Sequence, residues 1–372
     1  MHPRTSSRQV NDSRRTRKLL ASSALLVIAV IGVAACNPAR ARPVASTSSP
    51  VLSPVRTTET PSSSAPPSST ASSAPSSSSD APTSSPVAPP PALPKPPPAP
   101  SQGLTGWPNA SNTGVQVSDL KEVRGDQLVD ADWIKKQGLP GSGSQADPYR
   151  IEKYLVAGML HIDLPETTNL VVSQSRVYGG EFHALWIEGG TVTVQDTTIA
   201  PNGKGLSGNG IVAYRDGTFL RNNIYGFNIA IMVQGQGPYL IQDNFLHDTY
   251  FQSGDHTDVI NMNPNASNGV VKHNYIDGIR SDGDYTHNGI GIYNDPGAGS
   301  GANAVSKNWT IEQNFITRSN HLIFAAASPP FVVKDNVLTT EYKYAPFHNA
   351  LPGNADAGGN VDQNGKAVKA QG

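Results

Sequence analysis

The sequence predicts an all-β protein, a right-handed parallel β-helix of about seven coils, and three observations support this prediction. A phrase that reads apolar, any residue, apolar, three polar residues, any residue, apolar recurs seven times from residue 170 onward. A second phrase, with apolar residues at every other position, precedes each of the last six copies. The copies are irregularly spaced, which is typical of stacked coils joined by loops of different length.

The first phrase places a polar residue at one recurrent position. In order along the chain these residues are Ser175, Thr197, Asn223, Asn244, Asn274, Asn314 and Asn336. A short strand pair cannot bury its apolar face alone, so such coils are expected to stack and share one core. Asparagine suits a tight corner because it tolerates positive φ and its amide can bond to the asparagine of the next coil. The pattern therefore predicts an asparagine ladder along one edge of the helix.

The second phrase has a period of two, which indicates β-strands. Its first residue is His183, Asn209, Asp258, Asn288 or Asn320, and the copy near Phe227 and Asn228 fits two registers. Apolar residues two and four positions later are expected to point into the core. A sandwich of antiparallel hairpins is the alternative all-β fold, but it predicts evenly spaced Asn-Gly turns, and the uneven gaps argue against it.

Residues 1–36 have the features of a bacterial lipoprotein signal. Six basic residues precede an apolar run, Leu19–Cys36, whose end reads "VAAC" and resembles a lipobox. Cys36 is the only cysteine in the chain, so we expect it to carry a lipid anchor and the domain to form no disulfide. The segment "SRRTRKLL" loosely resembles a twin-arginine signal, so the export route stays open. The expected location is the outer side of the cell membrane.

The rest of the chain divides by composition. Residues 37–101 are almost entirely Ser, Pro, Ala and Thr, which predicts a disordered spacer between membrane and domain. Residues 102–148 are more charged and include a possible helix, which favours a cap over the open edge of the β-helix. We expect the β-helix itself over residues 149–345 and a loose C-terminal tail over residues 346–372.

The segment "GWPNASNTGV", from Gly106 to Val115, and the asparagine-cornered coils resemble secreted bacterial right-handed β-helix proteins related in fold to pectate lyases. In such proteins a strand after the middle loop often reads H-x-D-G-I-Q. Here His256 and Asp258 match the histidine and aspartate, whereas Val259 and Asn261 replace the glycine and glutamine. The resemblance implies the fold, and it leaves activity open because this fold hosts many functions.

The coil alignment brings a group of polar side chains together. His256 and His287 are expected on adjacent coils, offset by one residue, with Asp255 and Asp258 beside the first histidine. Two further residues, Asn261 and Tyr293, are expected on the same sheet. The longest loops enter this strip and are expected to wall a groove. We take His256, Asp258, His287, Asp255 and Tyr293 as candidate catalytic residues, although Asp258 also fits a purely structural place in a corner ladder.

Elimination from a uronate needs a base, a group that offsets the enolate charge and an acid for the leaving oxygen. His256 or His287 is the candidate base and Tyr293 the candidate acid. The candidates for the charge-offsetting group are Arg280, Lys272, Arg318, or a calcium ion bound by Asp282, Asp284 and Asp295. Hydrolysis instead needs two carboxylates, for which the sequence offers Asp255 with Asp282 or Asp284. No cofactor is expected beyond this possible calcium ion.

A polysaccharide is the expected partner in either case. The outward residues Trp186 and Tyr214 are placed to stack on sugar rings, and Asn261, Arg280 and Arg318 to bind sugar substituents. A glycan-binding or wall-associated module without catalysis is the alternative, and a purely structural spacer is a third. The net charge of −1 gives no support to a nucleic-acid partner, and the chain is expected to be a monomer.

Overall fold

A computed structural model describes residues 106–293, 306–326, 331–349 and 355–371. The predicted signal sequence, Cys36, the whole of the predicted linker (residues 37–101) and Asp295 lie outside the described residues. The described residues include no helix long and apolar enough to cross a membrane.

Three sheets of nine parallel strands each form the fold, which confirms a parallel β-helix. Sheet I contains β1 (Lys121–Arg124), β4 (Tyr154–Ala157), β7 (Arg176–Val177), β10 (Thr198–Ile199), β13 (Asn223–Tyr225), β16 (Phe245–His247), β19 (Tyr275–Asp277), β22 (Phe315–Thr317) and β25 (Val337–Leu338). Sheet II contains β2 (Gln127–Val129), β5 (Leu160–Ile162), β8 (His183–Ile187), β11 (Leu206–Ala213), β14 (Phe227–Val233), β17 (Asp258–Met262), β20 (Thr286–Ile292), β23 (Ser319–Ala325) and β26 (Tyr342–Asn349). Sheet III contains β3 (Tyr149–Glu152), β6 (Asn169–Ser173), β9 (Thr191–Gln195), β12 (Gly217–Leu220), β15 (Tyr239–Gln242), β18 (Ser267–Lys272), β21 (Lys307–Glu312), β24 (Phe331–Lys334) and β27 (Ala355–Gly358).

The structure has nine rungs, two more than the seven copies that the sequence reveals. The first additional copy lacks the recurrent polar residue at the corner, and the last one has glycines where the other copies have polar residues before the corner. Tyr154 occupies the corner position of the first copy, where its backbone N–H donates to Ser175 Oγ at 3.0 Å. At the other end, Asn360 follows Gly358 and Gly359 and accepts from the Asn336 backbone N–H at 3.1 Å. The rungs therefore extend on both sides of residues 149–345.

The asparagine ladder is present and fully buried. Asn222, Asn244, Asn274 and Asn314 are each 0% exposed, and the Oδ1 atom of each accepts from the backbone of the coil before it. The predicted member Asn223 is wrong by one residue, because β12 pairs with β15 in a register that aligns Asn222 with Asn244. Each ladder residue thus provides a hydrogen-bond partner for a buried backbone group at a corner where strand pairing ends.

The reason for asparagine at the corner also differs from the expectation. The left-handed conformation belongs to the residue before the ladder, as at Asp243 (φ 56°), His273 (φ 51°) and Gln313 (φ 53°). The ladder residue is therefore selected for its amide, which both donates and accepts, rather than for a positive φ.

The region before β3 combines the first rung of sheets I and II with a short helix. Helix α1 (Ala131–Gln137) begins after Asp130, whose side chain accepts from the Trp133 backbone N–H, and ends at Gly138 (φ 63°). Trp133 and Ile134 are buried, so the helix adds apolar cover at the N-terminal end of the core. The predicted role of residues 102–148 as a cap stays a prediction.

The strands of sheet II position the candidate site. In β23, His321 pairs with Asn288, so the predicted start of this copy at Asn320 is displaced by one residue. In β14, Ile229 takes the position that corresponds to Asp258 of β17. The sequence leaves the copy in β14 open between two registers, whereas the predicted start at Asn320 is wrong. Neighbouring residues at both points fit either register, and strand pairing decides between them.

Candidate functional site

Two stacked imidazoles mark the candidate site. Strands β17 and β20 are neighbours in sheet II with Asp258 opposite Asn288, so His256 and His287 come from adjacent coils with an offset of one residue. Their ring centroids are 4.2 Å apart and the planes differ by 15°. The predicted meeting of these two histidines is confirmed, although they are 31 positions apart in the sequence.

A chain of hydrogen bonds runs inward from His256. Its Nε2 atom lies 2.9 Å from the hydroxyl oxygen of Tyr293, which donates to Asp258 Oδ2 at 2.8 Å. Asn288 Nδ2 donates to the same hydroxyl oxygen at 2.6 Å. Because the single hydroxyl proton of Tyr293 is donated to Asp258, the Tyr293 oxygen can only accept from His256, and His256 Nε2 is therefore the donor in this pair.

Asp258 is the buried end of this chain, with 0% of its surface exposed. It accepts from Asn261 Nδ2 at 2.7 Å and from Asn288 Nδ2 at 2.8 Å, and its Oδ1 lies 3.5 Å from His256 Nε2. When protonated, His256 is a cationic partner for this carboxylate. Because the Asp258 carboxylate is buried, its contacts are with the side chains of the cluster and not with solvent.

A glycine makes room for the buried cluster. Gly291 lies opposite Asn261 on the outer face of sheet II. A Cβ atom at this position would come within 2.8 Å of the Tyr293 hydroxyl and 2.9 Å of Asp258 Oδ2. The absent side chain is therefore what allows the Tyr293 ring to lie over the strand and reach the carboxylate.

The pKa values of the two histidines are shifted in opposite directions. Interaction with the nearby Asp258 carboxylate raises the pKa of His256, against the opposing effect of burial. Burial lowers the pKa of His287, and the positive charge of protonated His256 lowers it further. Near neutral pH, His287 is therefore the neutral ring of the pair. Two nearby groups with separated pKa values are a recurrent feature of acid–base sites.

Hydrogen bonding also fixes which nitrogen of each ring faces outward. The Thr257 backbone N–H donates to His287 Nδ1 at 3.1 Å, so the neutral ring carries its proton on Nε2. His256 donates through Nε2 to Tyr293, so its neutral form has the lone pair on Nδ1. Neither His256 Nδ1 nor His287 Nε2 has a hydrogen-bond partner among the described residues. The site thus presents one basic nitrogen and one N–H donor side by side.

Asp255 is engaged elsewhere. Its two carboxylate oxygens each accept from Ser207 Oγ at 2.8 Å, and one also accepts from the Gln252 backbone N–H at 2.9 Å. The carboxylate therefore holds the segment before His256 against β11. Ser207, which contributes this contact from two rungs away, was not singled out from the sequence.

The two candidate arginines are both paired with carboxylates. Arg280 bonds to Asp282 through Nε at 3.0 Å and lies 3.5 Å from the centroid of the Phe251 ring. Arg318 bonds through Nε at 2.8 Å to Asp277, which is buried. Neither guanidinium is therefore free, since each is used to stabilise a loop or turn beside β20 and β23. Their role in binding a substrate stays a prediction.

Trp186 and Tyr214 lie on the outer face of sheet II but away from the histidine pair. Pairing places Trp186 opposite Val212, then Met232, then Asn261, so about 14 Å of sheet separates it from the site at roughly 4.8 Å per rung. Trp186 stacks on His161 with centroids 4.5 Å apart, and Tyr214 is 38% exposed. Of the five residues predicted to bind substrate, Asn261 alone joins the cluster.

The proposed calcium ligands do not form a ligand group in the described part of the chain. Asp282 pairs with Arg280, and Asp284 pairs with Lys343. Among the described residues there is no group of three or more His, Cys, Asp or Glu side chains placed to hold a metal ion.

Fold and site together define a parallel β-helix protein with an imidazole pair on the outer face of one sheet, oriented by a buried carboxylate. No protein-family model, curated protein or solved structure matches the chain. Evidence on the function of this protein therefore comes from the geometry of its site. Asn288 belongs to that site as the donor to both Tyr293 and Asp258, and the sequence indicated only its place in the strand pattern.

Proposed function

We propose that this protein is a polysaccharide lyase tethered outside the cell membrane, with His256 as its general base. The observation that carries the proposal is the chain from His256 Nε2 through Tyr293 to Asp258. It fixes the tautomer of His256, raises its basicity and leaves Nδ1 directed away from the cluster. A carboxylate that orients a histidine through its other nitrogen is a familiar way of preparing a base.

The reaction assigned to this base is elimination at a uronate residue. His256 Nδ1 takes the proton from the carbon next to the sugar carboxylate. The electron pair left behind forms a carbon–carbon double bond, the bond to the neighbouring glycosidic oxygen breaks, and that oxygen takes a proton from water. His287 Nε2–H donates to the carboxylate oxygen on which negative charge gathers in the transition state. Tyr293 positions His256 in this scheme, because its own proton is directed to Asp258.

Elimination is favoured over hydrolysis by the state of the nearby carboxylates. Hydrolysis uses two carboxyl groups that both face the sugar, about 5–9 Å apart. Asp258 is buried, Asp255 is held by Ser207, and Asp282 and Asp284 are ion-paired. An imidazole base needs none of them to touch the substrate.

The cellular setting of the proposal comes from the sequence. Lipidation at Cys36 would attach the chain to the outer side of the membrane, and the Ser/Pro-rich residues 37–101 would hold the β-helix away from it. Polysaccharides of the cell surface or surroundings are the polymers that such a domain meets. The resemblance to pectate-lyase-like β-helices agrees with this substrate class.

A non-catalytic glycan-binding role is the second candidate, and one observation favours it. The outer face of sheet II carries the stacked pair His161 and Trp186 and the half-exposed Tyr214, well away from the histidine pair. Aromatic side chains spread along one face suit the binding of a long polymer without any reaction.

The test incubates the purified protein with a panel of uronate-containing and neutral polysaccharides. Formation of unsaturated uronate products, followed by their ultraviolet absorbance, is expected with a uronate-containing polymer and is expected to be lost in His256→Gln. New reducing ends without unsaturation would assign hydrolysis instead. Binding without any product would support the glycan-binding module and reject the enzyme.

A further inference from the structure

A second group of rings lies on the outer face of sheet II, on the two rungs after the histidine pair. It consists of His321 and Phe324 of β23 with Tyr344 and His348 of β26. Phe324 stacks on His348 with centroids 5.2 Å apart, and His321 lies 5.3 Å from both His348 and Tyr344. We call these four residues the ring platform.

The ring platform is continuous with the candidate site. Strand pairing places Gly291 opposite Phe324 and Phe324 opposite His348. The centroid of the Phe324 ring is 5.9 Å from that of Tyr293, which bonds to His256. At roughly 4.8 Å per rung, β26 lies about 10 Å beyond β20. The rung spacing is similar to the length of one sugar residue, so a glycan that runs along the helix axis would meet one rung per residue.

The chemistry of the ring platform suits an uncharged sugar face. Tyr344 is 67% exposed, the largest exposed fraction among the large apolar side chains that the structure describes. The ring nitrogens of His321 and His348 form no hydrogen bond with the described residues, so they are free to bond to hydroxyl groups. Two charged side chains just before Tyr344 in the sequence have partners of their own, because Lys343 pairs with Asp284 and Glu341 accepts from Thr317 Oγ1.

We propose that the ring platform is a sugar-binding subsite, on which the exposed ring of Tyr344 stacks on a pyranose about two residues away from the one that reacts at His256. This inference rests on the proposed function. It adds the direction of the bound chain, from the histidine pair toward the C-terminal end of the β-helix, and the substrate length needed for full affinity. Ring faces bind the apolar face of a sugar, and the two imidazoles bond to its hydroxyls.

A protein partner could also use an exposed tyrosine, but the features that surround Tyr344 favour a sugar. The ring platform is narrow, it is continuous with a site that we assign to a glycan, and its unpaired polar atoms are ring nitrogens that both donate and accept. A protein interface would be expected to use a wider apolar area with charged groups at its rim.

The test compares Tyr344→Ala with Tyr344→Phe and with Leu128→Ala, a matched control at a half-exposed position on the first rung of the same sheet. Kinetics are measured on full-length protein with uronate oligosaccharides of increasing length. Tyr344→Ala is expected to raise KM for long oligosaccharides on the order of tenfold with little change for disaccharides, as the loss of one ring contact implies. Tyr344→Phe and Leu128→Ala are expected to behave like the unaltered protein.

The outcomes separate this inference from the proposed function. If the unaltered protein forms product and Tyr344→Ala has the same KM at every length, the ring platform is not a subsite although the enzyme assignment stands. If no product forms, calorimetric binding of the longest oligosaccharides to the same variants decides the matter. Weaker binding by Tyr344→Ala alone supports the subsite, whereas equal binding, or no binding by any variant, overturns it.

Discussion

The imidazole of His256 stacks on that of His287 at a centroid distance of 4.2 Å, yet their surroundings shift the two pKa values in opposite directions. Asp258 favours the protonated form of the first ring, and burial disfavours that of the second. We expect nuclear magnetic resonance titration to place the pKa of His256 above the ordinary histidine value of about 6.5 and that of His287 below it. Equal pKa values for the two rings would contradict the assigned hydrogen bonds.

The same shifts predict how stability depends on pH. The pKa of His256 is raised in the folded state, so its contribution is complete below the unfolded pKa and is lost as pH rises through the folded pKa. His287 has a lowered folded pKa, so the protein loses stability as pH falls from the unfolded pKa toward the folded one. Urea unfolding is measured between pH 5 and pH 8, a window on either side of the ordinary histidine pKa of about 6.5. The loss of stability at rising pH should vanish in His256→Gln, and the loss at falling pH should vanish in His287→Gln. Unchanged pH profiles in both variants would remove the linkage.

Replacing Asp258 by Asn should both weaken the cluster and change His256. Asp258 accepts from Asn261, Asn288 and Tyr293, so an amide nitrogen in its place would face one of these donors. A buried donor without an acceptor costs about 1–3 kcal/mol, which denaturant unfolding can measure. With the negative charge removed, the pKa of His256 is expected to fall. A stable Asp258→Asn variant whose His256 pKa is unchanged would show that the carboxylate does not act on this histidine.

Gly291→Ala tests the packing of Tyr293 without removing any polar group. The new methyl group would overlap the Tyr293 hydroxyl and Asp258 Oδ2, so the ring must move and its hydrogen bond to Asp258 should break. We expect the fold to persist, the His256 pKa to change and activity to drop at least tenfold, which corresponds to about 1.4 kcal/mol in the transition state. Gly254→Ala, whose added Cβ meets no atom within 4 Å, is the control for a change of glycine alone. Because Gly254 has φ 96°, an alanine there is strained and lowers stability by itself. The two variants are therefore compared in their activity and not in their stability.

Asn222→Ala and Asn223→Ala should differ sharply although the residues are neighbours. Asn222 is fully buried, donates to Val194 O and accepts from the Thr197 backbone N–H, whereas Asn223 uses its side chain to accept from His247. Removing the first leaves buried backbone groups unpaired and should cost about 3 kcal/mol or more in the free energy of unfolding. Removing the second should cost about 1 kcal/mol or less. Equal losses in urea unfolding would argue against the ladder as the source of corner stability.

These two asparagines also show how far the sequence predicts the fold. The repeated apolar pattern predicts stacked coils, because period-two strands without helical segments have few other ways to bury their apolar faces. It cannot choose between Asn222 and Asn223, or between Asn320 and His321, because each pair offers two residues of suitable chemistry. Pairing with the neighbouring coil decides the register, and that information is not local.

The site was predictable in its centre and not at its edges. His256 and His287 follow from coil alignment alone, since residues at matching positions of adjacent coils must be close. The partners of Arg280, Arg318 and Asp255 depend on how loops fold back on the sheet, which the strand pattern does not encode. The ring platform was missed because Tyr344 lies at the predicted end of the β-helix, where no further rung was expected.

The most direct test of the central claim is the pH dependence of kcat/KM for product formation by the unaltered protein and by Asp258→Asn. We predict that activity rises with pH as His256 loses its proton, and that this ascending limb moves to lower pH in Asp258→Asn because the pKa of the base falls. An ascending limb at the same pH in both proteins, or full activity in His256→Gln, would contradict the assignment of His256 as the base.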